Sequence, residues 1–292
     1  MGLLPGTRDG RRPRAGRAGA SFLPWLAALG MGLATVPVWG RQAETGPLEV
    51  QLLCDTDSVR PGSPLRVGVY FELQKGWHIY WRNPGDSGLP PQVRWTLPAG
   101  FQAGELRWPA PERLGSGSVI DYGYQGSVLL PVELQTPGPA LAAGSTVTLS
   151  AQVSWIVCKD VCLPGKAELK LVLPVRMEPG PVSASHARFQ EADARLPGPM
   201  PPDWTAEATV DPGHFVLTLH GAGLARAAFF PLEPEQIDNA APQTRTPLPG
   251  GLRLTLKKSD QMTESPARLD GVLALGPGRV YAVSASVRAR SQ

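Results

Sequence analysis

The 292-residue chain has few charged side chains, few cysteines and, after its first 40 residues, no long apolar run. Lys, Arg, Asp and Glu make up only 18% of it, and no basic patch marks a surface for nucleic acid. No segment beyond residue 40 is long and apolar enough to span a bilayer. Of the three cysteines, one stays unpaired if the other two form a bridge. These absences exclude a nucleic-acid partner and predict no membrane insertion once the first 40 residues are removed.

Residues 1–40 are typical of a signal peptide that directs export. Five arginines lie between residues 8 and 17, the apolar run of residues 22–36 is shorter than a membrane span, and residues 38–40 offer a cleavage site. Cleavage removes 5 of the 28 basic and 1 of the 25 acidic side chains, which leaves 23 against 24 and a net charge of −1. We therefore predict an exported chain; an uncleaved anchor is the alternative.

Glycine and proline are frequent, at 33 and 32 residues, and they separate short segments in which apolar and polar residues alternate. This pattern predicts an all-β protein built of β-sandwiches. Strands are predicted at residues 48–53, 65–73, 93–97, 128–134, 147–157 and 167–175, and in the second half at 205–210, 215–220, 227–230, 252–256, 269–275 and 280–287.

One helix is predicted between the two halves, within residues 185–196. Phe189, Ala192 and Leu196 recur there on one face, and a proline-rich stretch follows. The predicted organisation is a signal peptide over 1–40, a cysteine-bearing domain over 45–178, a helical and proline-rich linker over 179–203 and a second sandwich over 204–290.

Cys158 and Cys162 lie four residues apart at the end of a predicted β-hairpin. Cys158 has the parity of the polar face of its strand, so its sulfur is predicted to point toward water. Three interpretations are open: thiol–disulfide exchange, a structural bridge, and copper or zinc ligation. A bridge that closes about five residues stabilises a fold by roughly 2 kcal/mol, against about 4.7 kcal/mol for a 100-residue loop. Exchange is therefore favoured, and a Cys-x3-Cys pair without further ligands supports metal binding only weakly.

Cys54 is the cysteine left over from that pair. It can be a buried thiol that behaves as a small hydrophobic residue, the site of a mixed disulfide or a dimer, or a third redox thiol. The first interpretation is favoured.

The segment of residues 75–88 is dense in aromatic and turn residues. Trp77, Tyr80 and Trp81 either frame a recognition surface or fill the core of the sandwich beneath a structured Asn-Pro-Gly-Asp loop. His78 either tunes the pKa of a nearby thiol or is an ordinary packed histidine.

Residues 119–126 form the second unusual segment and are predicted to be a loop that leads into the strand at 128–134. Its glycines allow mobility. Tyr122 and Tyr124 are suited to cover an apolar or sulfur surface.

Three stretches, at residues 76–90, 121–124 and 157–165, together resemble the periplasmic N-terminal region of the DsbD/ScsB family of thiol:disulfide interchange proteins, closer to its ScsB-like branch. The resemblance implies two immunoglobulin-like sandwiches in the periplasm. It also implies a protein-disulfide reductase module that relays electrons to oxidised periplasmic client proteins, in a family linked to cytochrome c biogenesis. Its partners would be periplasmic thioredoxin-fold proteins, with no cofactor and no metal. Full-length members of the family continue into a membrane domain and a thioredoxin-like domain that this sequence does not show, so the electron donor is expected to be a separate membrane protein of the DsbD type; the alternative is a module that has been detached and reassigned.

The resemblance also assigns roles to individual residues. Cys158 and Cys162 become the redox pair, with Cys162 as the sulfur that a partner attacks. Residues 115–124 become a cap that shields the pair, and its best candidates are Tyr122 and Tyr124. The remaining candidates for the cap or the partner surface are Asp121, Trp77, His78 and Trp81. The competing hypothesis is an exported binding module in which the bridge is only structural.

Overall fold

The computed structural model describes residues 43–44, 46–139 and 141–289, and the protein is all-β as predicted. Over these residues it contains nineteen strands and one helix. The predicted signal peptide lies outside the described residues. Within them, no helix has the length and apolar character needed to cross a bilayer.

The first sandwich is formed by eleven of the described strands, in two sheets. In chain order these strands are β1 (Ala43–Glu44), β2 (Leu48–Cys54), β3 (Leu65–Leu73), β4 (His78–Gly85), β5 (Gln92–Thr96), β6 (Gln102–Ala103), β7 (Glu112–Ser116), β8 (Val119–Gln125), β9 (Ser127–Gln135), β10 (Thr146–Cys158) and β11 (Cys162–Pro174). One sheet has the order β1-β2-β3-β9-β6. The other has the order β11-β10-β4-β8-β7, with β5 pairing β10.

The core of this sandwich follows from strict alternation along its long strands. In β10 every second residue from Val147 to Val157 is buried, as predicted, and the polar residues between them face outward. Phe71 of the facing sheet packs edge-on against Trp155, with ring centroids 6.0 Å apart. Each fully buried aliphatic or aromatic side chain contributes about 1.5–3 kcal/mol, so this face secures the cysteine hairpin to the core.

The single helix of the described residues, α1 (His186–Asp193), lies within the predicted range. Phe189 and Ala192 are buried against Leu53, Tyr70 and Leu129 of the first sandwich. Leu196 is also buried, but it lies beyond the end of the helix, so the predicted apolar face is confirmed for Phe189 and Ala192.

The second sandwich contains the remaining described strands. They are β12 (Gly198–Pro199), β13 (Thr205–Val210), β14 (His214–His220), β15 (Ala228–Pro231), β16 (Thr244–Leu248), β17 (Gly251–Lys257), β18 (Arg268–Ala274) and β19 (Val280–Ala289). Their order is β15-β18-β19-β13-β14-β17-β16, and β12 pairs β19 in parallel. The start of β19 pairs with β18 and its end pairs with β13, so this strand connects the β15-β18 part of the sheet to the β13-β14-β17-β16 part.

The two sandwiches pack directly against each other. Phe230, Val272 and Val280 of the second sandwich join the core of the first. The Phe230 ring lies edge-on to Tyr122, with ring centroids 5.2 Å apart. Asn83 donates from Nδ2 to the carbonyl of Pro231 at 2.9 Å. This contact brings the loop after β15 beside the turn that follows β4.

Candidate functional site

Cys158 and Cys162 form a disulfide at the tip of the longest hairpin in the described residues. Cys158 ends β10, Cys162 begins β11, and the two are paired directly across the hairpin. The turn between them closes with a hydrogen bond from the Lys159 amide to the Val161 carbonyl at 3.1 Å. Val161 is 60% exposed and Leu163 is 41% exposed, so the tip of the hairpin presents apolar side chains to solvent.

The two cysteines differ in burial, and the prediction that Cys158 faces water is wrong. Cys158 is only 2% exposed, whereas Cys162 is exposed. The predicted parity of the strand is correct, since Cys158 lies on the outer face opposite His78 of β4. That part of the outer face is covered by the chain that continues from β4. An approaching thiol therefore meets Cys162 first.

Tyr80 is the side chain that covers the buried sulfur. Its hydroxyl donates to Cys158 Sγ at 2.9 Å and lies 3.8 Å from Cys162 Sγ. Burial raises the pKa of Tyr80 above its ordinary value of 10.0, so the hydroxyl stays protonated and remains a donor. From the sequence, Tyr80 was expected either on a recognition surface or in the core, and no contact with the cysteines was predicted. The alternation of side chains along a strand could have linked Tyr80 to the bridge, because residues 78 and 80 lie on the same face of the sheet as Cys158.

Residues 85–88, which we call the cover segment, lie over Tyr80. A Cβ added at Gly88 would stand 2.1 Å from Tyr80 Cζ, and Gly88 has a φ of +72°. Only glycine permits both this close approach and this backbone conformation. Ser87 donates from its amide (3.1 Å) and from its hydroxyl (2.8 Å) to Asp121 Oδ1. The cover segment is thus held to β8 and pressed against the tyrosine.

His78 and Asp121, two of the predicted site residues, complete the outer-face cluster. His78 Nε2 lies 3.6 Å from Asp121 Oδ2, and the His78 ring packs edge-on against Tyr80 with centroids 5.2 Å apart. The structure therefore brings both residues to the disulfide, as neighbours of the tyrosine that contacts it.

The prediction of a loop at residues 119–126 is wrong, because Val119–Gln125 is strand β8. Tyr122 and Tyr124 point into the core and are fully buried. Tyr122 donates to Asn239 Oδ1 at 2.8 Å, and Tyr124 donates to the Pro109 carbonyl at 2.7 Å. Burial raises the pKa of both hydroxyls. Both hydroxyls therefore bond away from the bridge, and the residues that lie over Tyr80 are those of the cover segment.

The two predicted tryptophans also belong to the core. Trp81 is fully buried and packs edge-on against Phe230, with centroids 6.4 Å apart. Trp77 is half-buried and packs against the first core. The interpretation in which these rings fill the sandwich accounts for both.

An apolar groove runs beside the disulfide, with a volume of about 530 Å³. It lies between the chain that precedes β5 and the start of β11. Its lining includes Leu89, Pro90, Trp155, Ile156, Pro164 and Lys166. Leu89 is 58% exposed, so the groove is open along one side.

Cys54 is a free and buried thiol, in agreement with the interpretation of this residue as a small core side chain. Burial raises the pKa of Cys54 to about 11, and its sulfur lies 3.8 Å from Thr56 Oγ1.

We expect Cys54 to resist alkylation by iodoacetamide in the folded protein at pH 8. With a pKa near 11, about one thiol in a thousand is ionised at that pH, and burial excludes the reagent as well. Labelling followed by mass spectrometry should find Cys54 modified only after unfolding in denaturant. Modification within minutes in native buffer would contradict its assignment to the core.

The structure offers no ligand set for the metal hypothesis in the part of the chain that it describes. There, no three His, Cys, Asp or Glu side chains come close enough to hold one ion together.

Comparison with known proteins finds a matching family and similar solved structures. Residues 49–174 match the family described as "Thiol:disulfide interchange protein DsbD, N-terminal". The crystal structure of the N-terminal periplasmic domain of ScsB from Proteus mirabilis is similar, with a TM-score of 0.63 and 18% sequence identity, over 84% of this chain and 96% of that chain. At this identity the structural match shows a shared fold. No curated protein matches the chain.

Proposed function

We propose, from the match of residues 49–174 to the family of DsbD N-terminal thiol:disulfide interchange domains, that Cys158 and Cys162 relay electrons. The donor is a thioredoxin-fold protein and the acceptors are oxidised client proteins of the periplasm. The observation that carries the proposal is the asymmetry of the bridge: Cys162 is exposed, while Cys158 is buried and accepts a hydrogen bond from Tyr80. We infer from this asymmetry that Cys162 is the sulfur that a partner attacks and that Cys158 is the sulfur that leaves.

In the first half of the relay, a partner thiolate attacks Cys162 Sγ. A bond forms between the partner sulfur and Cys162, the Cys158–Cys162 bond breaks, and Cys158 departs as a thiolate with the electron pair. The second thiolate of the partner then attacks the partner sulfur of the mixed disulfide. This step releases Cys162 as a thiolate, so the partner ends oxidised by two electrons and the pair ends reduced by two.

Tyr80 assists this step because its hydroxyl already points at the leaving sulfur. A hydrogen bond to a charged group is worth about 1.5–3 kcal/mol, more than the same bond to a neutral sulfur. The thiolate that forms at Cys158 is therefore stabilised more than the disulfide is. His78 and Asp121 hold the tyrosine through ring packing and through Ser87.

In the second half of the relay, the reduced pair passes its electrons on. The exposed Cys162 thiolate attacks a disulfide of the client, and one client sulfur leaves with the electron pair. Cys158 then attacks Cys162 of the mixed disulfide, which reforms the bridge and releases the reduced client. The activity is that of a protein-disulfide reductase that needs no cofactor of its own.

The apolar groove beside the bridge supports a protein partner rather than a small thiol. We assign it to the surface that surrounds the cysteines of a thioredoxin-fold protein. The groove is lined by Ile156 and Pro164, each two residues from a cysteine of the bridge, and the exposed tip of the same hairpin carries Val161 and Leu163. A protein seated on both would bring its thiolate to the open side of Cys162.

We expect Leu163→Glu to slow reduction by a thioredoxin-fold protein at least about tenfold while changing reduction by dithiothreitol less than about twofold. A charge at the tip must be desolvated when a protein docks, but a small thiol does not cover it. Stopped-flow rates with both reductants give the comparison. Val172→Glu is the matched control, since Val172 is an exposed apolar residue of the same strand, 37% exposed and far from the bridge. Equal slowing with both reductants would contradict the docking role.

The redox potential of the bridge tests the proposed function as a whole. The protein is equilibrated with glutathione or dithiothreitol buffers and the free thiols are trapped for mass spectrometry. A relay requires a potential in the range of known exchange proteins, about −120 to −270 mV. A value below about −300 mV would identify the bridge as structural, and the relay would be rejected.

A further inference from the structure

The cover segment is tied to the first sandwich by the backbone and side chain of Asp86. The Asp86 amide donates to the Ile120 carbonyl at 3.0 Å, and the Ile120 amide donates to Asp86 Oδ2 at 2.7 Å. Ser87 adds its two bonds to Asp121. One oxygen of Asp86, Oδ1, is left for a partner from elsewhere.

That partner is Asn239 of the second sandwich. Its Nδ2 donates to Asp86 Oδ1 at 2.7 Å, and its Oδ1 accepts from the Tyr122 hydroxyl at 2.8 Å. Its backbone carbonyl accepts from Arg113 Nη2 at 2.6 Å. Asn239 is 8% exposed, so both ends of a buried amide are used in bridging the cover segment to the core of the first sandwich.

The loop that carries Asn239 is itself well ordered by hydrogen bonds. Asp238 Oδ1 accepts from the amides of Ala240 and Ala241, both at 3.0 Å. Lys257 of β17 donates to Asp238 Oδ2 at 2.8 Å and lowers the pKa of that carboxyl. Asn239 is thereby fixed relative to the second sandwich.

From these contacts we propose that the second sandwich controls access to the buried sulfur, and that Asn239 is the positioning residue through which it acts. While Asn239 holds Asp86, the cover segment stays over Tyr80 and Cys158 is shielded. When that bond is lost, the first sandwich alone holds the segment and Cys158 becomes reachable. The inference rests on the proposed function for its purpose, since shielding matters for a pair that exchanges.

The test measures shielding directly and needs no redox partner. In a Cys162→Ser background the remaining thiols are Cys158, under the cover segment, and Cys54, buried elsewhere in the same sandwich. The alkylation rate of Cys158 reports opening of the cover segment. The rate of Cys54 reports loosening of the fold, which separates a positioning role from a merely structural one.

Asn239→Asp is the informative substitution. It keeps the shape and the acceptor for Tyr122, but it removes the donor and sets a second carboxylate against Asp86. We expect iodoacetamide to label Cys158 about tenfold faster, the fold-change for loss of one hydrogen bond to a charged group, with the rate at Cys54 unchanged. Adding Asp86→Asn restores the hydrogen bond in the opposite direction, because the new amide at position 86 can donate to the new carboxylate at position 239. The rate of Cys158 labelling should then return to within about twofold of the starting value.

Gln243→Glu is the matched control, because it makes the same amide-to-carboxylate change in the second sandwich. Gln243 bonds the backbone of Phe229 rather than the cover segment, so Cys158 labelling should not change. If Asn239→Asp does not fold, Asp86→Ala breaks the same bond from an exposed position and should give the same rise. An unchanged Cys158 rate, or equal rises at Cys158 and Cys54, would overturn the inference. A potential below about −300 mV would reject the relay and leave this labelling result standing.

Discussion

Replacing Cys158 with serine should trap a mixed disulfide between Cys162 and a thioredoxin-fold partner whose resolving cysteine is replaced by serine and whose remaining cysteine is activated as its thionitrobenzoate disulfide, whereas replacing Cys162 should trap none. The exposed Cys162 thiolate attacks the activated partner sulfur and thionitrobenzoate leaves with the electron pair; because neither chain then carries a resolving thiol, the bond persists. The buried Cys158 is shielded by Tyr80 and cannot be reached in the same way. Both variants should lose electron transfer to clients completely. Non-reducing electrophoresis and mass spectrometry of the trapped species give the measurement.

Stability provides the control for the cysteine variants. A bridge closing about five residues contributes only roughly 2 kcal/mol, so each serine variant should remain folded and melt slightly earlier. The buried face of β10, rather than the bridge, holds the hairpin to the core. Gross unfolding of either variant would favour a structural bridge. Equal trapping through Cys158 would contradict the assignment of Cys162 as the attacked sulfur.

The second large effect is expected from Tyr80→Phe, which should slow reduction of the bridge by about 10- to 100-fold. This is the rate equivalent of the 1.5–3 kcal/mol of a hydrogen bond to a charged group. The same loss destabilises the Cys158 thiolate, so the pKa of that thiol in the reduced protein should rise. The reduced form loses stability relative to the bridge, and the redox potential should therefore become more negative.

Tyr124→Phe is the matched control for this prediction. It also removes a hydroxyl with a hydrogen bond from a buried tyrosine of the same sandwich, but that hydroxyl bonds Pro109 and lies away from the bridge. We expect it to lower the melting temperature and to leave the thiol pKa unchanged. Stopped-flow reduction by dithiothreitol across pH separates the two variants. If Tyr124→Phe slows reduction and Tyr80→Phe does not, Tyr80 is not the residue that assists the leaving sulfur.

The strands that could be predicted from sequence are those with strong alternation. Residues 65–73 and 205–210 were predicted to the residue, and the predicted range 147–157 differs from β10 by one residue at each end. β8 could not be predicted because Asp121 and Gly123 have low β propensity. Its pairing with β4 and β7 makes it a strand nonetheless, since packing against neighbours outweighs a weak intrinsic preference.

The helix is a second element that the sequence determines by itself. Phe189, Ala192 and Leu196 form one apolar face of a helical pattern, and all three are buried. Burying such a face requires only some apolar surface nearby, so no knowledge of the partner residues was needed. The residues it meets, among them Tyr70 and Leu129, could not be predicted, because they come from distant strands.

The sequence by itself determined the all-β class, the hairpin that carries the two cysteines and the parity of Cys158 along its strand. Only the strand pairing placed His78 and Tyr80 on the same face as Cys158 and set Tyr122 and Tyr124 on the other, because residues 119–126 were predicted to be a loop. The period of a strand is a local property, so a sequence pattern reveals it. What covers a face is decided by tertiary packing. Cys158 is buried by a tyrosine 78 positions away, and the cover segment is held by an asparagine 153 positions from Asp86; such contacts depend on how distant strands pack and leave no local pattern.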